Sequence, residues 1–262
     1  MQSIKYFIGL IFFSAFLLGQ SAIAENFAVS KADGTPLSVV ANFPSGAGPY
    51  PALVLASGQG YHMTLPAMEA VATALSEQGI AVFRFNWAYF TAQPKGAPSD
   101  DFTKEIEDFQ AVLAAVRKHP KVLSKNISVG GKSLGSMVSW KLFTADSQLR
   151  SLLLLTPVCS RVPKGETQPR TEAKENYPGF EKETRPILLV SGDKDSLCAP
   201  SVLYGFAATR GLNARVAVVG GDHSYENRAL SPALADVALK RNLLAVSALA
   251  VGFVVEFSSE KP

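Results

Sequence analysis

The chain has 262 residues, of which 47% are hydrophobic, and its formal net charge is +3. This apolar fraction is too high for a disordered protein, and the length provides for one sizeable core without indicating a second domain. The sequence has no cluster of lysines and arginines interleaved with aromatic residues, which argues against nucleic acid as a partner.

The N-terminus has the three parts of an export signal. Lys5 supplies a positive charge, residues 6–19 form an apolar run, and Ala22-Ile23-Ala24 is a small-residue cleavage site. A membrane-spanning helix needs about 20 apolar residues, more than this run contains. We therefore expect residues 1–24 to be a cleaved signal peptide and residues 25–262 to form a single domain, exported to the periplasm or secreted.

Strand and helix patterns alternate along the rest of the chain. Two β-rich runs, residues 27–31 and 37–43, flank an Asp33-Gly34 turn and are predicted to form an antiparallel edge pair. Further strands are predicted at 51–57, 80–87, 127–129, 150–156, 186–191 and 214–219, and helices at 65–78, 101–118, 134–143, 201–209 and from 231 onward. This alternation predicts an α/β fold, in which a mostly parallel central sheet carries helices on both faces.

Two segments depart from that alternation. Residues 158–185 form a polar connection of the kind that often lies over a site, and it is too small and polar to be a large cap. In the C-terminal segment, apolar residues recur at steps of three and four, which predicts a helix that packs on the sheet through this face: Leu234, Val237, Leu244, Ala248, Val251 and Val255. The alternative is membrane association, but the fully apolar run is too short for a stable span.

One motif with chemical meaning lies between a predicted strand and a predicted helix. Residues 131–135 read GKSLG, a G-x-S-x-G element in the context that this motif requires. The turn must be so tight that the serine is strained and only hydrogen fits at the flanking Cα atoms of Gly131 and Gly135. We predict Ser133 as a nucleophile, with the Leu134 N–H and the helix N-terminus facing an oxyanion. The alternative is a glycine-rich turn with an incidental serine.

A serine hydroxyl needs a base within hydrogen-bond reach, and the base needs an orienting acid. The sequence contains three histidines. His223 lies directly after the last predicted strand, in the segment GGDHSY, and is the predicted base. His62 follows another strand and is predicted to face substrate, whereas His119 lies at the end of a predicted helix.

The acid is expected between the serine and the histidine in chain order. The segment SGDKDS follows the strand at 186–191 and contains two carboxylates. Asp195 is the predicted acid, because Gly192-Asp193 would form the turn itself; Asp193 remains the alternative. Asp222 is discounted because adjacent residues are poorly placed for a bond between ring and carboxylate.

The loop after the strand at 51–57 is predicted to supply the second oxyanion donor, from the N–H of Gln59. We expect the substrate pocket to be shaped by Tyr61, His62 and Trp87. No histidine or cysteine cluster in the sequence has the spacing of metal ligands, so neither a metal nor another cofactor is predicted.

These motifs resemble those of the α/β-hydrolases, and more narrowly those of the bacterial dienelactone-hydrolase-like proteins of the KANL3/Tex30 type. The segments that carry the resemblance span residues 53–224 and read LVLASGQG, GIAVFRFNW, GGKSLGS, SGDKD and GGDHS. The resemblance implies an α/β-hydrolase fold with a minimal cap and a serine hydrolase acting on small or polar esters through an acyl-enzyme.

Two departures from the family pattern restrict that implication. Ser57-Gly58 stands where the family has His-Gly, which bears on the second oxyanion donor, and Ser133 stands where dienelactone hydrolases have cysteine, so a dienelactone substrate is not implied. Because KANL3-type proteins include members of larger assemblies, a catalytically inert binding or scaffold protein is the alternative. Peptidase or thioesterase activity on the same residues is a third possibility.

The two cysteines follow two successive predicted strands on the sheet edge that carries the proposed site. We predict a disulfide between Cys159 and Cys198 that joins the polar connection to the acid loop, in keeping with an oxidising compartment. Two free, buried thiols are the alternative.

Overall fold

The computed structural model of the chain describes residues 23–161, 165–168, 170–210 and 214–259. Within these residues the strands are β1 (Ile23–Asn26), β2 (Val29–Ser30), β3 (Pro36–Leu37), β4 (Val39–Phe43), β5 (Tyr50–Ala56), β6 (Ala81–Phe85), β7 (Val122–Lys132), β8 (Leu152–Leu155), β9 (Ser160–Arg161), β10 (Arg170–Thr171), β11 (Ile187–Gly192) and β12 (Ala214–Val219). The helices are α1 (Pro66–Glu77), α2 (Ala88–Ala92), α3 (Thr103–Lys118), α4 (Leu134–Ala145), α5 (Ala173–Asn176), α6 (Pro200–Ala208) and α7 (Pro232–Ser259).

Eight of these strands form one sheet, in the order β1-β4-β6-β5-β7-β8-β11-β12. Six neighbouring strands run parallel: β6, β5, β7, β8, β11 and β12. Strand β4 pairs antiparallel with both β6 and β1. The predicted α/β class and mostly parallel sheet are therefore confirmed. Because parallel strands end at the same edge, the loops after β5, β7, β8, β11 and β12 meet there.

The edge pair differs from the prediction. β4 pairs in the large sheet with residues 23–26, whereas Val29 and Leu37 face each other in a separate two-residue ribbon, β2-β3. Ile23 and Ala24 belong to β1, so the cleavage proposed after Ala24 would remove two of the four residue pairs between β1 and β4. The pairs Glu25 with Ala41 and Asn26 with Val40 would remain. Sequence patterning placed the turn correctly but missed which run joins the main sheet.

The sheet has an apolar core on each face. One core contains Phe109 of α3, Phe143 of α4 and Leu203 of α6; the other contains Val71 of α1 and Val246 of α7. Side chains of β8 point alternately into the two cores, which is why LLLL is fully apolar. Helices on both faces therefore bury the sheet.

The terminal helix packs on the fold through only part of the predicted face: Val251 and Val255 are partly buried against the core, whereas the predicted residues before them are exposed. Leu234, Val237 and Leu244 are 58%, 63% and 72% exposed, whereas Val246 and Phe253 are buried. The second half of α7 is apolar almost all round, so its spacing does not select a face. Among the described residues α7 is long and apolar enough by composition to cross a membrane, with 44% of its apolar window buried in the fold.

The connection between β8 and β11 is structured where it is described. It contains the β9-β10 ribbon, the short helix α5 and a 3-10 turn at Phe180–Lys182. Tyr177 and Phe180 enter the core from this segment, both 0% exposed. The connection is thus anchored by aromatic side chains despite its polar composition. Helix α2, in the segment after β6, also has no counterpart among the predicted elements.

Candidate active site

The turn between β7 and α4 has the strained geometry that the G-x-S-x-G motif predicts. Ser133 has φ 53° and ψ −117°, in a region that residues other than glycine rarely adopt. A Cβ at Gly131 would lie 2.2 Å from the carbonyl of Gly135, and one at Gly135 would lie 2.5 Å from the Ala56 oxygen. Both positions therefore require glycine, and the turn presents the serine at the sheet edge.

The structure brings the predicted serine, histidine and acid into one hydrogen-bonded line. His223 Nε2 lies 2.8 Å from Ser133 Oγ, and His223 Nδ1 lies 2.9 Å from each carboxylate oxygen of Asp195. With the proton on Nδ1, the imidazole donates to the carboxylate and Nε2 accepts from the serine hydroxyl. This arrangement can take a proton from Ser133 and hold the resulting imidazolium against a negative charge.

The two competing carboxylates of the acid loop have different partners. Asp195 is 2% exposed and accepts hydrogen bonds from the Ser191 hydroxyl at 2.8 Å and from the Leu197 N–H at 2.9 Å, in addition to facing His223. Asp193 instead accepts the N–H of Gly221 at 2.7 Å. Asp195 therefore faces the imidazole, and Asp193 fastens the histidine loop to the acid loop.

The histidine loop is fixed by residues on both sides of His223. Tyr225 is 0% exposed and donates its hydroxyl to the carbonyl of Val190 at 3.1 Å. Asn242 of α7 donates to the Tyr225 carbonyl at 2.9 Å, and the Asp222 carboxylate accepts the N–H of Ser224 at 2.8 Å. The loop is therefore attached to the sheet and to the terminal helix, which limits the movement of the imidazole.

The loop predicted to supply the second oxyanion donor lies beside the serine. A Cβ at Gly58 would be 3.3 Å from the Ser133 Cβ, so only glycine allows this approach without displacing a neighbour. Gln59 follows Gly58 on the exposed side of this loop. The Leu134 N–H belongs to the first turn of α4, where helix geometry leaves amides without helical partners.

Trp87 does not face an open pocket, contrary to the prediction. Its side chain is 1% exposed and its indole N–H donates to the carbonyl of Ser57 at 2.9 Å, while the Ser57 hydroxyl donates to the Phe85 carbonyl at 2.6 Å. A tryptophan at the end of a sheet strand packs inward because of its large apolar area. Its function here is to hold the Ser57-Gly58 segment in place.

Tyr61 and His62 lie half-buried on the same loop. The Tyr61 hydroxyl accepts the N–H of Ala67 at 3.3 Å. His62 Nδ1 accepts the N–H of Thr64 at 3.2 Å and lies 2.8 Å from the Thr64 hydroxyl. Both rings are thus oriented by contacts within the loop, and their contact with substrate stays a prediction. The third histidine, His119, stacks on the ring of Phe43.

Three residues that sequence reasoning did not assign to the site support it. Ser136 donates to the carbonyl of Ser133 at 2.5 Å, and its hydroxyl lies 2.7 Å from that of Tyr177. The buried Lys132 side chain donates to the His223 carbonyl at 2.7 Å. The available signal for Lys132 was a charged residue directly before the predicted nucleophile, at the end of a strand; no comparable signal marks Ser136 or Tyr177.

The structure joins Cys159 and Cys198 in a disulfide with Cα atoms 4.8 Å apart. Beside it, the N–H groups of Cys159 and Ser160 both donate to the Leu197 carbonyl at 2.9 Å. The exit of β8 is therefore tied to the segment that carries the acid. Among the residues that the structure describes, no group of three or more histidines, cysteines or carboxylates is arranged to hold a metal ion.

Comparison with known proteins gives a family match over most of the chain. Residues 49–251 match the family described as an alpha/beta hydrolase domain. No curated protein matches the chain in sequence.

Several solved structures share the fold at low sequence identity. An alpha-beta serine hydrolase homologue from Coxiella burnetii is 20% identical, with a TM-score of 0.65 over 87% of this chain and 96% of that one. A Xanthomonas campestris protein described as an α/β serine hydrolase without lid is 20% identical, with a TM-score of 0.63 over 91% and 97%. Est1E from Butyrivibrio proteoclasticus is 17% identical, with a TM-score of 0.63 over 90% and 100%.

Proposed function

The chain belongs to the alpha/beta-hydrolase family, and from this premise we propose that it is a serine hydrolase that cleaves small or polar carboxylic esters. The observation that carries the proposal is the unbroken line from the Ser133 hydroxyl through His223 to the Asp195 carboxylate, with separations of 2.8 and 2.9 Å. The strained backbone of the serine costs conformational free energy, and such strain is typical of catalytic sites.

In the proposed mechanism Ser133 Oγ attacks the ester carbonyl while His223 Nε2 takes its proton. The negative oxygen of the tetrahedral intermediate is held by the N–H groups of Leu134 and Gln59, and loss of one such donor costs about 3 kcal/mol of transition-state stabilisation. The imidazolium then protonates the leaving alcohol, which leaves an acyl-enzyme. A water molecule, deprotonated by the same imidazole, attacks this acyl group and regenerates Ser133.

The preference for small or polar esters is supported by the connection between β8 and β11. Its described part consists of a two-residue ribbon and short helical turns, which offer no large apolar wall for a long acyl chain. The half-buried Tyr61 and His62 provide polar atoms on the loop that carries Gly58. Relatives by fold include Est1E from Butyrivibrio proteoclasticus, solved with bound ferulic acid, a ligand that accords with this substrate class.

We also propose that the protein is exported, with residues 1–24 removed. The disulfide supports this, because such bonds persist in oxidising compartments. Mass measurement of the protein recovered from the periplasm or medium tests the proposal. A chain beginning at Glu25 is the expected result, and full-length protein confined to the cytoplasm would contradict it.

A serine-reactive fluorophosphonate probe tests the enzyme against the inert scaffold. Wild-type protein should be labelled and Ser133→Ala should not, while Ser147→Ala, which changes an exposed serine on the loop after α4, should be labelled at the wild-type rate. Folded wild-type protein that takes no label would favour the scaffold. A panel of p-nitrophenyl esters of increasing chain length, with matched thioesters and amides, then defines the substrate class.

A further inference from the structure

A buried lysine lies directly beside the nucleophile. Lys132 is the last residue of β7 and is 1% exposed. Its Nζ donates to the main-chain oxygen of His223 at 2.7 Å and lies 4.4 Å from the centroid of the Tyr61 ring. Burial of an ammonium group is unfavourable, and a hydrophobic residue of similar size would fill the space at lower cost. The position of this charge therefore requires an explanation.

The hydrogen bond from Lys132 reaches the main chain of the proposed base. The other contacts of this loop involve its remaining residues, Gly221, Asp222, Ser224, Tyr225 and Glu226. In the part of the chain that the structure describes, the His223 backbone itself has one hydrogen-bond partner, the Lys132 ammonium. The His223 carbonyl is therefore held by the Lys132 ammonium, whereas the residues on either side of it are held by contacts of their own.

We propose that Lys132 is a positioning residue for His223. This inference rests on the proposed serine-hydrolase function. Lys132 ends the central strand β7 and Ser133 follows it directly in the turn; the first holds the main chain of His223 and the second meets its ring at 2.8 Å. Because both contacts originate from the same strand end, the distance from nucleophile to base stays fixed even when the loop after β12 fluctuates.

The charge on Lys132 gives this role a pH dependence. The groups that face it are Tyr61 from the loop after β5, the carboxylate of Asp195 from the acid loop, and Asp222, His223 and Glu226 from the histidine loop. Desolvation lowers the pKa of Lys132 to about 8, and the three carboxylates oppose that shift. Above this pH the amine is neutral, and a neutral donor holds a carbonyl less strongly than an ammonium does.

The test compares Lys132→Met with Lys125→Met, a change at an exposed position on the same strand. Misplacement of a catalytic group by about 1 Å costs roughly 100-fold in rate, so Lys132→Met should lower kcat by about 10- to 100-fold with KM changed less than about threefold. Its Tm should stay close to that of the wild-type protein, since removal of the buried charge offsets loss of the hydrogen bond to the His223 carbonyl. Lys125→Met should match the wild-type protein in all three quantities.

The pH profile separates positioning from general stability. Wild-type kcat should fall as pH rises above about 8, and this decline should be absent from the residual activity of Lys132→Met. Lys132→Gln, which keeps an N–H donor without the charge, provides a second variant if methionine prevents folding, and it should also lack the decline.

Three results would overturn the proposal. The first is a kcat of Lys132→Met equal to that of the wild-type protein. The second is a loss of kcat in this variant that is matched by a fall in Tm, with the pH profile unchanged. The third is a kcat of the wild-type protein that stays level from pH 7 to 9.5. An inactive, unlabelled wild-type protein would remove the hydrolase proposal and this one together, whereas an active protein indifferent to Lys132 would remove this one alone.

Discussion

Opening the Cys159–Cys198 disulfide should lower both the stability and the activity of the protein. The bond closes a loop of 39 residues between the exit of β8 and the acid segment. In the chain-entropy treatment a loop of this length corresponds to about 4 kcal/mol of stabilisation. For a domain of this size that free energy corresponds to a Tm about 8 to 16 °C lower in the absence of the bond.

Activity should fall because the bond lies close to Asp195. The Leu197 N–H donates to the Asp195 carboxylate, and the Leu197 carbonyl accepts from Cys159. Once the bond is open, these contacts must hold the acid without covalent support, so kcat should decrease well below the melting temperature.

The assay compares Tm and ester hydrolysis with and without a thiol reductant, in the wild-type protein and in the double variant Cys159→Ala, Cys198→Ala. Reductant should change the wild-type protein and leave the double variant, already destabilised, unaffected. A wild-type protein with two alkylatable thiols before reduction, or one whose Tm and kcat are unchanged by reduction, would refute the reasoning.

Three further outcomes test separate parts of the site. Asp195→Asn should lower kcat by about 10⁴-fold through loss of the orienting carboxylate. Asp193→Asn should leave kcat close to the wild-type value, because the Asn amide oxygen can still accept the Gly221 N–H. Ester assays distinguish the two variants, and equal losses of kcat would contradict the assignment. The pKa of Lys132 is about 8 in the folded protein against an ordinary 10.5. Between these values the unfolded chain binds more protons than the folded protein, so the free energy of unfolding should rise by about 3 kcal/mol as pH increases through that window. Urea denaturation of the wild-type protein and of Lys132→Met at a series of pH values measures this rise. Parallel plots of unfolding free energy against pH for the two proteins would contradict it. Gly131→Ala should yield little folded protein, because its Cβ would meet the Gly135 carbonyl at 2.2 Å; a soluble, fully active variant would show that the turn can relax.

The sequence was most informative where a residue type has one physical use. Glycine on both sides of a serine between strand and helix indicated the strained turn at Ser133, and the loop position of His223 indicated its approach to that serine. The choice of Asp195 over Asp193 also followed from turn chemistry, and the hydrogen bonds of the two carboxylates accord with it. These inferences needed the alternation of strands and helices and no knowledge of packing.

Hydrophobic patterning was least informative where a segment is apolar on every side or where a buried aromatic side chain lies among polar residues. The exposed face of α7, with Leu234 and Leu244, satisfied the helical spacing as well as the buried face did. Trp87 looked available for a ligand but is buried beneath the Ser57 carbonyl. In both cases the decision depends on which neighbouring surface is present, and sequence spacing does not contain that information.

The amino-acid sequence by itself determined the α/β architecture and indicated the serine, the acid loop and the histidine in their chain order, because periodicity and turn residues act locally; it left Asp193 as the alternative to Asp195. Only the tertiary structure decided which main-chain oxygen the Lys132 ammonium meets, which run of residues completes the sheet beside β4, and which face of α7 is buried. Those outcomes depend on contacts between segments far apart in the chain, and the free energy of such contacts is set by the whole fold.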